Sequence, residues 1–133
     1  MDEAEARRRL TAAPVGHLAT VARDGRPHVV PFCFAVEGET LHSAVDQKPK
    51  TTTRLRRLDD IVSHPDVTVL VDHYDADWSR LWWVMVRGRA RVLDDDERGR
   101  AVLTAKYPQY RDAPPGGPFI RVAMETARWW SGG

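Results

Sequence analysis

A chain of 133 residues is long enough to bury one real core and leaves little room for another, so a single domain over residues 1–133 is expected. Twenty basic side chains against nineteen acidic ones leave a formal net charge of +1, which excludes a global field for DNA, RNA or an anionic membrane and makes any anion binding a local matter. A lone cysteine, Cys33, excludes an intramolecular disulfide and any zinc or iron–sulfur site built from thiolates.

The opening M-D-E-A-E-A-R-R-R-L lacks the apolar run of a signal peptide, and no stretch approaches the roughly 20 apolar residues of a membrane span, so a cytoplasmic protein is expected. Residues Asp2 to Ala12 suit a short helix, with acids first and Arg7 to Arg9 late, as the helix dipole favours. Val15 to Ala22 and His28 to Val36 flank the turn signal Asp24-Gly25 and read as a hairpin. Pro27 and Pro31 place the second strand away from the sheet centre and predict that it starts late or carries an irregularity near Pro31. Cys33 falls in this apolar strand, where a buried inert thiol is the ordinary state.

A third strand covers Thr40 to Asp46, and Pro49 stops its pairing. The next helix begins at Thr51 to Thr53, hydroxyls suited to an N-cap, buries Leu55, Leu58 and Val62, and ends at Pro65. A helix start exposes unpaired N–H groups and the positive end of the dipole, and Lys48 and Lys50 stand directly before it, which makes the turn a candidate anion site. Arg54, Arg56 and Arg57 follow and extend the positive potential toward a longer acidic ligand. The plainer reading is a solvated basic turn.

Val67 to Tyr74 alternates as a fourth strand, and the polar loop Asp75 to Arg80 is broken only by Trp78. Leu81 to Leu93 is a long fifth strand, in which Gly88 predicts a bulge or a close backbone approach and Arg87, Arg89 and Arg91 share a solvent face. Adjacent Trp82 and Trp83 must point to opposite faces, so one of them looks outward toward a partner. Asp94 to Glu97 open a helix running to about Lys106, Tyr110 to Pro118 reads as a loop, and Phe119 to Glu125 is the last strand. Six short strands with interposed helices favour a small antiparallel barrel, and so small an interior favours a ligand site shared across a homodimer.

The five histidines show no metal-ligand spacing, and hydrolase-elbow, P-loop and dinucleotide fingerprints are absent, so no metal is expected. The aromatic and basic mix in W-S-R-L-W-W could stack bases, but the balanced charge makes that reading the poorer one.

The segments G-H-L-A-T-V-A-R-D-G-R-P-H, A-V-D-Q-K-P-K-T-T-T-R-L-R-R-L, V-T-V-L-V-D-H-Y-D-A-D-W-S and V-R-G-R-A-R-V-L, in that order, resemble the pyridoxamine 5′-phosphate oxidase-like split β-barrel proteins. Within that group the chain is most similar to the flavin/deazaflavin oxidoreductases that use coenzyme F420. The likeness covers about Val15 to Leu93. It implies a mainly β fold, a six-stranded antiparallel split β-barrel of the FMN-binding-protein kind, with short helices at the N-terminus, after strand 3 and after strand 5. It also implies an F420-dependent hydride transfer to or from a small organic substrate in a homodimer. The alternatives are an FMN-binding oxidoreductase or a carrier without turnover.

Carried over residue by residue, the resemblance assigns the cofactor phosphate to Lys48, Lys50 and Thr51; Thr52 is counted with them, and the arginines at 54, 56 and 57, Arg54 and Arg57 foremost, suit the acidic tail of a deazaflavin. Trp78 matches the tryptophan through which the partner subunit covers the cofactor. The resemblance also implies that backbone groups of Val30, Pro31 and Phe32 and of Ser43, Ala44 and Val45 line the ring. No catalytic side chain is named by the resemblance. His28, His42 and Tyr74 are candidate proton donors, and each also has an ordinary structural role open to it.

Overall fold

A computed structural model of the chain describes residues 1–45 and 52–133, the side chains of residues 52–55 excepted. The elements in order are α1 (Glu3–Ala12), β1 (Gly16–Val21), β2 (Pro27–Phe32), β3 (Ala35–Glu37), β4 (Thr40–Ala44), α2 (Thr52–Ser63), β5 (Asp66–His73), β6 (Trp82–Leu93), α3 (Glu97–Lys106), α4 (Gln109–Asp112) and β7 (Phe119–Ser131). None of the described helices is long and apolar enough to cross a membrane.

All seven strands form one sheet in the order β2-β1-β5-β6-β7-β4-β3, every neighbour pair antiparallel. Laid flat, six inter-strand gaps would separate the two edges by about 29 Å. Yet β2 and β3 are joined only by Cys33 and Phe34, a path of about 11 Å at most. The sheet must therefore curl until its edges meet, which is the antiparallel split barrel that the sequence implies.

That joint explains why there are seven strands and not six. The expected strand His28 to Val36 breaks after Phe32, the residue next to Pro31, and β3 then pairs with β4 on the other margin of the sheet. Cys33 consequently lies in the joint and is half-buried, not sealed inside a strand. The joint is gripped from α3. Lys106 Nζ donates to the carbonyls of Phe34 and Ala13, both at 2.7 Å, and sits 4.2 Å from the Phe34 ring centroid. The Tyr107 hydroxyl accepts from the Phe34 N–H at 3.0 Å. Burial pushes the Lys106 amine down to about 8 and the Tyr107 hydroxyl up to about 12.

Four other expectations shift. β4 ends at Ala44, before Asp46; β7 continues past Glu125 to Ser131, because Ala127 to Ser131 go on pairing with β6; the short helix α4 interrupts the expected Tyr110 to Pro118 loop; and a 3-10 turn, Trp78–Arg80, stands in the Asp75 to Arg80 loop. Gly88 behaves as its position implies. The register slips between Arg87 and Gly88, and a Cβ on Gly88 would lie 2.3 Å from the Ala123 carbonyl oxygen.

The barrel interior is filled by Leu18, Phe34, Leu41, Val69, Val71, Val84, Ile120 and Val122. Ala6 and Leu10 of α1 and Leu58 and Ile61 of α2 join the same cluster, so both helices plug the barrel. Helix α3 covers the outside of β3, β4 and β7 through Leu103 and Tyr107 against Ala35, Ala44 and Phe119. The apolar stripe of α2 is rotated from the expected one. Ile61 is buried while Val62 is 75% exposed, since the inward face is centred on Arg57, Asp60 and Ile61, with Leu58 at its rim. Spacing between apolar residues alone could not see that two polar side chains belong to that face.

Candidate functional site

Helix α2 runs beside β1 and β2, and the wedge between them holds a cavity of about 110 Å³ lined by Thr20, His28, Val29, Val30, Arg56 and Arg57. Alternation in the strands turns Thr20, His28 and Val30 toward α2, and the Arg57 position on the helix faces them. Behind the cavity wall lies Asp60, 3% exposed. Its Oδ2 accepts from the Thr20 hydroxyl at 2.9 Å and from His28 Nδ1 at 2.8 Å. A carboxylate has no proton to give at neutral pH, so Nδ1 is the nitrogen that carries one, and Nε2 is the ring nitrogen left for the cavity.

Of the residues that the resemblance assigns to the cofactor, Val30 and Arg57 meet in this cavity, together with Arg56 and with His28 from the candidate proton donors. Lys48, Lys50 and Thr51 lie outside the described residues, as do the side chains of Thr52 and Arg54; the backbone of α2 begins at Thr52, directly after that turn. Pro31 is exposed on the edge strand, and Phe32 is buried with its ring stacked on Phe34 at 5.2 Å. Ser43, Ala44 and Val45 are buried, with the Ser43 hydroxyl donating to the Cys33 carbonyl at 2.7 Å and the Val45 N–H to Pro118 O at 2.9 Å. Their side chains belong to the packing, which leaves backbone carbonyls as what β4 can offer a ligand.

Trp78 is 71% exposed and follows the far end of β5, whereas α2 precedes its near end. The eight-residue strand between them spans about 24 Å, so one chain does not bring Trp78 to the cavity. Asp77 caps the Trp78–Arg80 turn, accepting from the Ser79 hydroxyl at 2.7 Å and the Ser79 N–H at 3.1 Å, bonds that hold its carboxyl below the usual range.

The two tryptophans of β6 divide as alternation requires. Trp82 packs against the interior cluster and lies under Arg9, whose guanidinium is 5.1 Å from its ring centroid. Trp83 faces outward directly opposite Trp130 of β7, and with Leu70, Met85 and the exposed ring of Tyr74 it lines a cavity of about 400 Å³ on the outer sheet face. Further along the same face Arg87, Arg89 and Arg91 are exposed, as their sequence pattern implies.

His42 is placed quite differently from His28. It is 3% exposed, and its Nδ1 lies 3.2 Å from Asp96 Oδ2. The other Asp96 oxygen accepts from Arg121 at 2.7 Å and from the Gly99 N–H at 3.0 Å, so Asp96 caps α3 while pinning it to β4 and β7. Burial raises the Asp96 carboxyl, but the Arg121, Gly99 and His42 hydrogen bonds outweigh it and hold it below the usual carboxylate range. His42 has no route to a ligand, and Tyr74, 77% exposed, touches no part of the α2 cavity. Sequence reasoning passed over Thr20, Asp60, Asp96 and Arg121. The faint signal for Asp60 was an acid three residues after Arg57 and next to Ile61, on the inward side of an otherwise basic helix.

A family model described as pyridoxamine 5′-phosphate oxidase matches residues 2–125. No curated protein matches the chain. Among solved structures, a FAD-binding protein from Mesorhizobium loti is 26% identical over 97% of this chain and 94% of that one, with a TM-score of 0.70. A conserved hypothetical protein from Mycobacterium tuberculosis is 20% identical over 99% of this chain and 86% of that one, with a TM-score of 0.77. A heme binding protein from Mycobacterium smegmatis is 20% identical over 97% of this chain but only 53% of its own length, with a TM-score of 0.74. The last two likenesses are of fold alone.

Proposed function

The chain belongs to the pyridoxamine 5′-phosphate oxidase family, and from that premise we propose that it is an F420-dependent oxidoreductase, a homodimer that holds the deazaflavin between its subunits. The observation that carries this reading is the cavity between α2 and the β1–β2 hairpin, whose walls bring Arg56, Arg57 and His28 together within two turns of the helix start at Thr52. Such a setting fits a phosphate-bearing cofactor with an acidic tail: lysines and helix N–H groups for the phosphate, guanidinium groups for the carboxylates.

When bound, the cofactor supplies the hydride chemistry. The chain's own residues anchor, orient and exclude water. Lys48, Lys50 and Thr51 hold the phosphate, Thr52 lies beside them, and Arg54 and Arg57 take the tail. Trp78, remote from the cavity of its own subunit, reaches that of a second copy. The outward pair Trp83 and Trp130, with Leu70 and Met85, supplies the apolar contact that two copies bury. The substrate is a small organic molecule.

A flavin is the second reading, favoured by the Mesorhizobium loti relative named as FAD-binding, and FMN is its simplest form. The test is titration of the purified protein with F420 and with FMN, followed by cofactor absorbance and tryptophan quenching. Tighter F420 binding supports the proposal, tighter FMN binding moves the assignment to a flavin, and binding without substrate turnover makes the protein a carrier. Sedimentation decides the shared site: a monomer that still binds cofactor would remove it.

A further inference from the structure

Helix α1 closes the barrel against β6 and β7 and leaves under it a cavity of about 150 Å³, which shares no lining residue with the cavity at α2. Its inner walls are apolar: Ala6 and Leu10 from the helix, Val84 and Val86 from β6, Met124 and Trp129 from β7. Its exposed rim is acidic, with Glu3, Glu39 and Glu125 against one cation, Arg7. Arg7 is already engaged, since it pairs with Glu39 at 3.0 Å and donates to the Gly38 carbonyl. Among the described residues, Glu3 and Glu125 have no ion-pair partner.

The two unpaired acids differ in what explains them. Glu3 stands in the first turn of α1, where an acid complements the helix dipole. Glu125 has no such duty. The ladder pairs Arg87 with Thr126 and Gly88 with Met124, so Glu125 is the extra residue of the β-bulge, and a bulge re-aims the side chains it carries. Glutamate is depleted in strands, and this one has no cross-strand neighbour to answer it. The mouth around it is held in shape. The Met124 N–H donates to the Glu39 carbonyl at 2.9 Å, and Arg7 grips the same β3–β4 turn from the helix side, so α1, the bulge and the turn are fastened to one another. A cavity fixed in this way asks little ordering of a ligand.

We propose that this cavity binds a small organic ammonium ion, its hydrocarbon body between α1 and the sheet and its cationic nitrogen at Glu125, with Glu3 adding to the negative field. A cavity of about 150 Å³ is known to hold benzene, so the body is a single ring or a short branched chain. Apolar walls alone would accept any hydrocarbon, and the rim decides the charge. It repels an anion, offers little to a neutral group, and gives an ammonium a charge-assisted contact together with the attraction of the Trp129 ring. The site is independent of which cofactor the protein takes.

The test uses the full chain with its methionines labelled at the methyl carbon, so that Met1, Met85 and Met124 give separate NMR signals. Benzylamine, protonated at neutral pH, is titrated beside its uncharged counterpart benzyl alcohol and beside benzoate. The expected result is a saturable shift of the Met124 methyl with benzylamine, about tenfold weaker binding of benzyl alcohol, and no saturation with benzoate. Glu125→Gln, an exposed substitution that keeps the length of the bulge, should weaken benzylamine about tenfold and change benzyl alcohol less than about twofold. Ala6→Leu fills the cavity from the helix and should abolish the Met124 response to both ligands.

Benzylamine that fails to saturate, or that moves other methyls and not Met124, overturns the site. Benzyl alcohol or benzoate binding as tightly as benzylamine does so as well, and so does a Glu125→Gln variant that keeps the full preference for the amine, because the rim would then play no part. A folded Ala6→Leu variant with an unchanged Met124 response would put the ligand outside the cavity and end the proposal on its own.

Discussion

Of the three histidine–aspartate pairs among the described residues, two have a buried acid, His28–Asp60 at 2.8 Å and His42–Asp96 at 3.2 Å, and their surroundings make them opposites. His42 and Asp96 are sealed between β4, β7 and α3, with Arg121 and the Gly99 N–H completing the carboxylate. His28 and Asp60 have a comparably buried acid, but the imidazole is exposed on one side to a cavity bearing two arginines. In the first pair the carboxylate is answered by three protein donors, so removing it leaves the charge of Arg121 uncompensated. In the second, one nitrogen is left to whatever enters the cavity. What separates a structural clamp from a site residue is thus the third partner, not the pair itself.

The largest effect should come from breaking the sealed pair. Asp96→Ala strips the cap from α3 and strands Arg121 and His42 together, for an expected loss of about 3–5 kcal/mol, read from urea or thermal unfolding. Gly99→Ala probes the same clamp from the other side, because its Cβ would lie 2.5 Å from Asp96 Oδ2 and 3.1 Å from His42 Nδ1. A Gly99→Ala variant as stable as the wild type would mean that the clamp can open, and the contrast between the two pairs would lose its basis.

Acid should find the sealed pair as well. The folded-state value of the Asp96 carboxyl lies below the ordinary 3.8, so the folded protein binds fewer protons there than the unfolded chain does. Its stabilisation is therefore fully present above the ordinary carboxylate range and is lost as pH falls through the depressed folded value. Asp96→Asn should flatten the stability profile below about pH 4, relative to wild type, while leaving the slope above pH 5 alone. An unchanged acid limb would show that other carboxylates govern acid unfolding.

Asp60→Asn is expected to cost less, about 1–2 kcal/mol, since an amide oxygen can still accept from Thr20 and the cavity lets water reach His28. A loss as large as that of Asp96→Ala would reclassify Asp60 as a clamp of the same kind.

How far the sequence foretold this follows from the same contrast. The bulge at Gly88, the outward turn of one of the two adjacent tryptophans and the basic helix after β4 were legible because each is a local pattern: a glycine, adjacent aromatics, a run of charges. The breaks were not. Pro31 announces an irregularity, but V-V-P-F-C-F-A-V does not say that the chain there leaves one margin of the sheet at Phe32 and joins the other at Ala35, because that crossing is imposed by closure of the barrel. Asp60 and Asp96 read as ordinary helix acids, and their partners lie 32 to 54 residues away for the histidines. The face of α2 was misplaced for a related reason: apolar spacing centres the stripe near Leu58 and Val62, whereas hydrogen bonds to the barrel let Asp60 be buried and turn Val62 to solvent.

The smallest folding effect should belong to His28→Gln, and it is the most informative of the series. Losing the imidazole takes one hydrogen bond from Asp60, but the Thr20 hydroxyl remains at 2.9 Å, the glutamine amide offers a replacement donor, and the vacated space adjoins a cavity that water enters. The expected change in unfolding free energy is about 0.5–1 kcal/mol, within the range of an ordinary side-chain hydrogen bond. His42→Gln, made in a site 3% exposed, should cost at least about twice as much, because its amide must fit among Asp96, Arg121 and Gly99. The two substitutions are chemically identical, so the ratio of their unfolding energies isolates the surroundings. A ratio near one would show that the cavity beside His28 is closed in solution. A small loss at position 28, in a protein that still folds and melts cooperatively, would leave that imidazole free to be judged by what it binds.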